Sequence, residues 1–480
     1  MDPTPDTLAD TSRKRSNQML FRAAAAGLLA ACLYFSFTTH LQDPVEIGLG
    51  LAIMVMAAWP AMRWARADHA HFPAFEIFML TGISFYAIPM LSGHENVISF
   101  TERTITGAAL TMLIFQGSAN IAFLATRGQP ARDPLLTAQL LPQRILMQTQ
   151  TGLLLNTLYL YFANYTTLIP ADWTAAPILH AAFAGLGIIC AFIQARLWGE
   201  GRLTWTAKVI CGINLALQLI FLFSGLYLNG GISLLALFLI SYVTASHRLP
   251  VLALIVCLPV LAVLHNGKAA MRVLYWRESQ DVRLSLSDLP GYFSQWIRLG
   301  LRPPTSDDGG KKSLATNLMD RASLFQMLCL TNERIPDPLP YLNGETYMDI
   351  PAQIIPRALW PNKPSPHLSN SRLAIYLGLE TTESAESVSI AFGFIAEAYT
   401  NFGLFGAAML GALMGWTFKR LALLGLNAAP FSALGLLTIL LAAWSFQVEL
   451  VMATWLISLF QAAVVVIGVP LAIAKFFGWR

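Results

Sequence analysis

The chain has 480 residues, of which 55% are hydrophobic and only 12% charged, with a formal net charge of +4. A soluble domain carries roughly a quarter charged residues. The composition therefore excludes a soluble globular enzyme, a disordered regulator and a nucleic-acid-binding domain. It describes an integral membrane protein.

Residues 1–18 read as a polar cytoplasmic tail ending in the basic Arg13-Lys14-Arg15. Crossing a hydrocarbon core of roughly 30 Å takes about 20 apolar residues in a helix. Runs near that length predict twelve spans, at about 19–38, 46–62, 73–91, 104–126, 145–169, 175–196, 208–228, 231–246, 249–265, 391–417, 431–447 and 450–474. Nine lie in a membrane domain over 19–265 and three in a C-terminal one over 391–480. The box Leu29-Ala30-Ala31-Cys32 fits a lipoprotein cleavage site, but Leu33-Tyr34-Phe35 continues the apolar run, so 19–38 reads as a retained span. The five cysteines, at 32, 190, 211, 257 and 329, have no paired spacing, so neither a disulfide framework nor a zinc site is indicated.

Lysine and arginine set the orientation, because they concentrate in cytoplasmic loops. With the N-terminus inside, seventeen basic residues fall on the cytoplasmic side and one, Arg103, in the short loops opposite. The remaining thirteen lie in 266–390, together with thirteen of the 27 acids. That charge-balanced stretch of soluble composition is expected as one large extracytoplasmic loop. Loops of such length are usually functional.

The loop divides into three parts. Its first, about 266–302, is basic and aromatic, with Lys268, Arg272 and Trp276 at helical spacing on one face. Such a helix would lie at the membrane surface with its cations toward lipid phosphates. The second, 303–314, contains Asp307-Asp308-Gly309-Gly310 and reads as a surface loop. The third, 317–390, opens with a helix-like 317–330 carrying Arg321. It continues with Pro340-Tyr341-Leu342-Asn343-Gly344-Glu345-Thr346-Tyr347, and then with Ile355-Pro356-Arg357-Ala358-Leu359-Trp360-Pro361-Asn362-Lys363-Pro364. Prolines fix φ and hold Arg357 and Lys363 in a chain of little freedom. Rigid cations beside an aromatic suit a phosphate-and-sugar site, and the arginine fork takes two phosphate oxygens at once. The tenth span carries Glu397, a carboxylate that belongs in a membrane only beside a cavity or a cation. Glu397, Thr400 or Asn401, and Leu404 share its face, and Gly393, Gly403 and Gly406 are expected to allow close helix contact.

The blocks PYLNGETY (340–347), IPRALWPNKP (355–364) and GFIAEAYTNFG (393–403), in that order, resemble the Wzy-type polymerases of lipid-linked oligosaccharide repeat units. The resemblance covers about 265–410. It implies an all-α polytopic fold similar to the GT-C-type multi-span glycosyltransferases, in the bacterial inner membrane. It also implies transfer of a glycan chain from undecaprenyl diphosphate to another lipid-linked unit, with no cofactor, membrane lipids around it and a chain-length regulator as a partner. Arg357 and Lys363, supported by Arg272, Arg321 and Lys268, would bind the diphosphate. Tyr341 and Trp360 would offer surfaces to the sugar. Glu397 and His367, with Glu345 behind them, are the candidates to accept the acceptor's proton, and Arg357 would meet the charge that builds on the leaving group. A nucleotide-sugar enzyme would typically bring a metal through Asp-x-Asp, and no such pair occurs in the chain.

Two other enzymatic or transport readings stand beside this one. The O-antigen ligases carry a histidine eleven residues before a glycine, a spacing that His367 and Gly378 share, although Leu368 stands where their motif is polar. A lipid-linked oligosaccharide flippase predicts charges scattered through many spans, whereas here they gather in one loop. A non-catalytic scaffold of a polysaccharide synthase is the remaining alternative.

Overall fold

The structure, a computed structural model, describes residues 5–39, 41–66, 72–93, 95–138, 145–166, 168–169, 176–226, 228–246, 248, 250–277, 284–301, 323–355, 360, 368–382, 390–429, 432–468 and 471. Among these residues every regular element is helical. In chain order the principal helices are α1 (Pro5–Thr38), α2 (Pro44–Arg66), α3 (Ala74–Leu91, with a π-helical turn at Ile83–Ala87), α4 (Glu102–Ala125), α5 (Ile145–Tyr165), α6 (Ala176–Gly199), α7 (Trp205–Ser224), α8 (Leu228–Ser246), α9 (Val251–Arg277), α10 (Leu289–Gly300), α11 (Leu324–Arg334), α12 (Leu368–Tyr376), α13 (Phe394–Leu424), α14 (Ala433–Trp444) and α15 (Met452–Ala463).

Eight of these helices, α1–α4, α6, α7, α9 and α13, are long and apolar enough to cross a membrane. The chain is a polytopic membrane protein. All twelve expected spans meet a helix, but not all are of spanning quality. Helix α5 has 21 residues, yet six polar side chains fall in its first thirteen positions. Helix α14 has 12 residues, roughly 18 Å at 1.5 Å per residue and well short of a hydrocarbon core. The ninth expected span does not stop at 265: helix α9 carries Lys268 and Arg272 on to Arg277 without a break. Helix starts are set by local chemistry. Thr101, Thr204, Ser323 and Ser432 each accept a hydrogen bond from a first-turn N–H, satisfying donors that a helix leaves unpaired.

The chain divides into two compact units, Met1–Leu141 with Arg321–Arg480, and Pro142–Asp320. The boundary cuts the expected large loop, so its basic first part belongs to the second unit and its proline-rich third part to the first.

In the second unit, α5, α6 and α7 share a buried amide–hydroxyl network. Asn156 donates to Gln218 (3.0 Å), Gln218 to Thr157 (3.1 Å), Thr157 to Asn214 (3.1 Å) and Gln194 to Thr149 (2.6 Å). In lipid there is no hydrophobic drive between helices, so such bonds and close packing hold them. Helix α10 folds back on α9 where Trp296 Nε1 donates to the Leu264 carbonyl (2.7 Å), and a methyl at Gly300 would overlap the Val263 carbonyl.

In the first unit α13 lies along α4. Methyl groups at Gly411 and Gly415 would overlap the carbonyls of Phe115 and Ala119, a small-xxx-small contact of backbone on backbone. Phe75 stacks on Phe123 (4.1 Å between centroids), and Phe78 on Phe418 (5.2 Å). Gly411→Val or Gly415→Val is therefore expected to force α4 and α13 apart and lower the thermal midpoint in detergent. Gly212 in α7 has no heavy atom within 4 Å of an added methyl, so Gly212→Ala is the matched control. Equal midpoints for the three variants would refute the contact.

Candidate functional site

The site is built on a break in α13. Gly403 sits at φ 61°, ψ −145° inside the helix, a conformation essentially reserved for glycine. The break frees the carbonyls of Thr400 and Asn401 from their usual partners. They are taken by a strap from residues 341–347: Leu342 N–H donates to Thr400 O (3.1 Å) and Asn343 N–H to Asn401 O (3.1 Å). The Asn401 side chain completes the join, accepting from Gly344 N–H (2.9 Å) and donating to Thr346 Oγ1 (2.9 Å). Tyr341 fills the space beside Gly403, where a methyl would come within 2.7 Å of its hydroxyl, and Tyr347 stacks near Phe402 (6.3 Å).

Below the strap lies Glu397, wholly buried together with Thr400 and Asn401. Its Oε2 accepts from Met452 N–H (2.7 Å), the first residue of α15. Oε1 has no hydrogen-bond partner among the described residues. The Met452 bond depends on how α14 ends: the chain turns at 445–451, and Gly393 N–H donates to Glu449 O (3.0 Å), bringing that turn to the start of α13. Burial, with the Glu397 carboxyl alongside, pushes the Tyr347 phenol well above its ordinary pKa. It is therefore a neutral hydroxyl at every physiological pH.

Helix α12 buckles the strap from the other side. Ser369, Arg372 and Tyr376 follow one helical face. Ser369 donates to Thr346 O (3.0 Å) and to Asp349 Oδ2 (3.2 Å). Arg372 donates to Glu345 O (2.9 Å) and pairs with the carboxylates of Glu345 (3.5 Å) and Asp349 (3.7 Å). Tyr376 donates to Pro340 O, and Arg334 at the end of α11 donates to Leu377 O. Asn370, next to Ser369, exchanges two bonds with Ile390 and so fixes the approach to α13.

Three of the residues expected from the sequence meet here or close by. Glu397 and Tyr341 are at the junction, and Glu345 is on its exposed rim. Trp360 is exposed at 40%. Arg357, Lys363, Arg321 and His367 lie outside the described residues. Lys268 and Arg272 belong to the other unit, where Arg272 Nη2 donates to Leu226 O (2.8 Å). The glycines differ from expectation. Gly403 is a break, Gly406 packs against the Ala398 carbonyl of its own helix, and the close helix contact falls to Gly411 and Gly415. The break also separates Leu404 from Glu397, leaving Leu404 exposed at 47%. Sequence reading passed over Thr346, Asn370 and Arg372, and gave Asn401 no role of its own.

Among the described residues no group of three or more His, Cys, Asp or Glu side chains is placed to hold a metal ion. Compared with family models, with curated proteins and with solved structures, the chain finds no match in any of the three.

Proposed function

We propose that the chain is a polymerase of lipid-linked oligosaccharide repeat units, a glycosyltransferase that uses a polyprenyl-diphosphate donor. The observation that carries this reading is the junction itself. Two of the three blocks by which the sequence resembles Wzy-type polymerases, 340–347 and 393–403, are hydrogen-bonded to one another around a buried carboxylate, Asn401 reaching Gly344 and Thr346 across 57 and 55 residues of sequence. The fold would sit in the bacterial inner membrane with twelve crossings in all, similar to the GT-C-type enzymes. Both termini would be cytoplasmic and the 266–390 segment periplasmic, as the distribution of basic residues implies.

In this reading Arg357 and Lys363, with Arg321, meet the diphosphate of undecaprenyl diphosphate, and Tyr341 and Trp360 face sugar. The acceptor hydroxyl attacks the anomeric carbon while the bond from that carbon to the diphosphate oxygen breaks. The electron pair leaves with undecaprenyl diphosphate, and the hydroxyl proton passes to Glu397. Cations set around the diphosphate stabilise the charge that develops there.

The test uses full-length protein in lipid vesicles with lipid-linked repeat units extracted from cells lacking the chain. Ladder formation with release of undecaprenyl diphosphate, insensitive to chelator, is the expected result. Transfer only onto lipid A core would replace this reading with a ligase, and flipping across vesicles without turnover would replace it with a transporter. A tag beside Pro304 that reports cytoplasmic exposure would overturn the orientation.

A further inference from the structure

We propose that residues 348–355 seat the chain on a lipid leaflet at the Glu397 end of α13, with Met348, Pro351 and Ile354 reaching into the boundary between headgroups and acyl chains. The inference needs only that the chain spans a membrane and does not rest on the polymerase reading. The segment reads Met-Asp-Ile-Pro-Ala-Gln-Ile-Ile. Its middle is a short helix, Ile350–Ile354, entered through helical backbone at Met348 and Asp349. One side of it is tied to protein. Asp349 accepts from Ser369 (3.2 Å) and pairs with Arg372 (3.7 Å), and Gln353, four residues on, is buried. Met348, Pro351 and Ile354 follow at intervals of three on the opposite side, and all three are exposed, Met348 at 77% and Ile354 at 47%. Ile355, just past the helix, is exposed at 39%. The one charged residue of the segment thus turns inward, and the outward side carries no hydrogen-bonding side chain.

An exposed apolar patch marks contact with another protein or with a membrane, and its surroundings commit this one to lipid. The short helix packs against α15. That helix and the π-helical turn Val464–Gly468 that continues it carry no charged residue. Their exposed large side chains, Leu456, Phe460 and Val464, recur every four residues and so form a single apolar stripe. In a membrane protein such a stripe faces hydrocarbon. It starts one turn beyond Met452, whose N–H holds Glu397 (2.7 Å), so the patch stands where the lipid-facing surface of α15 begins. Interfacial segments of this kind sink about 5–10 Å into the boundary of headgroups and acyl chains. Met348 directly follows the strap, and the seat therefore holds the strap and its junction with α13 at headgroup depth. The phosphates of a polyprenyl-linked donor lie at that same depth, so such a donor reaches the junction from the bilayer.

The experiment is electron paramagnetic resonance of nitroxides attached at Met348→Cys and, separately, at Ile354→Cys. It uses the full-length protein in vesicles of phosphatidylethanolamine and phosphatidylglycerol, with the labelled parent chain as the background from its five native cysteines. Collision with oxygen, which concentrates in lipid, is compared with collision with a neutral nickel chelate, which stays in water. Two further labels calibrate the depth: Ile121→Cys, exposed on the spanning helix α4, for hydrocarbon, and Asn427→Cys, in the exposed turn after α13, for water. Both test labels are expected to collide more with oxygen than with nickel, at depths between the two references. Nickel collisions that dominate at either test label overturn the inference. Little collision with either reagent would mean that protein covers the patch, a second copy or another chain, and overturns it as well. The readout needs no turnover. A protein with lipid-seated labels that extends no chain loses the polymerase reading and keeps the seat, and one that extends chains with water-exposed labels loses the seat alone.

Discussion

Glu397→Gln is expected to abolish chain extension, by at least the 10² to 10⁴-fold that a positioned proton acceptor contributes, while leaving the protein folded. The amide keeps an oxygen for Met452 N–H, which is 2.7 Å from Oε2, and its volume matches the carboxyl it replaces. Glu397→Leu is expected to behave differently. It leaves Met452 N–H, which donates to Oε2 in the native protein, buried without an acceptor, at a cost of about 1–3 kcal/mol. The leucine variant should therefore lose both activity and thermal midpoint, and the glutamine variant activity alone. Measuring ladder formation and detergent unfolding on the two proteins separates the roles. A fully active Glu397→Gln would remove Glu397 from the chemistry and leave it as the clamp between α13 and α15. A glutamine variant that unfolds as readily as the leucine one would show that the negative charge itself holds the junction.

The parts of this molecule that are legible in the sequence are those decided over a short stretch of chain. Apolar runs became helices wherever they were expected, because burial in hydrocarbon forces backbone groups to pair within the segment. Glu397 stood out as a lone carboxylate in such a run, and the structure buries it completely. What was not legible depends on partners distant in sequence. Nothing near Asn401 announces that its amide spans Gly344 and Thr346, 57 and 55 residues earlier. A glycine that breaks a helix and one that admits a neighbouring helix look alike in a string of letters, so Gly403 was expected to make contact when it makes a hinge. The four-residue spacing of Gly411 and Gly415 was a usable signal for the contact and was passed over. Helix α12 has only nine residues, too few for periodicity to show that Ser369, Arg372 and Tyr376 share a face. The end of the run at 431–447 was open in the sequence, because Gln447 and Glu449 lie close to the next run; α14 ends at Trp444, and the turn that carries the two closes on Gly393.

Gly403→Ala tests the hinge on which the site depends. Alanine at φ 61°, ψ −145° carries a backbone cost of about 1–3 kcal/mol, and its methyl would also press on the Tyr341 hydroxyl at 2.7 Å. Two outcomes compete for the strained chain. Either α13 keeps its break and the protein loses stability, or α13 straightens through residue 403, and the carbonyls of Thr400 and Asn401 return to partners inside the helix. In the second case the N–H groups of Leu342 and Asn343 lose their acceptors. Straightening is the expected result, because a continuous helix relieves the strain and the clash together, whereas the strap forfeits only two backbone bonds at its exposed side. Amide hydrogen exchange reads it directly: Leu342 and Asn343 lose protection, while Gly212→Ala, with open space around its added methyl, leaves them protected. Chain extension falls in step, since the strap that is bonded to Asn401 beside Glu397 comes away. Retained protection at Leu342 and Asn343 in Gly403→Ala, with an unchanged thermal midpoint, would mean that the break is not what seats the strap.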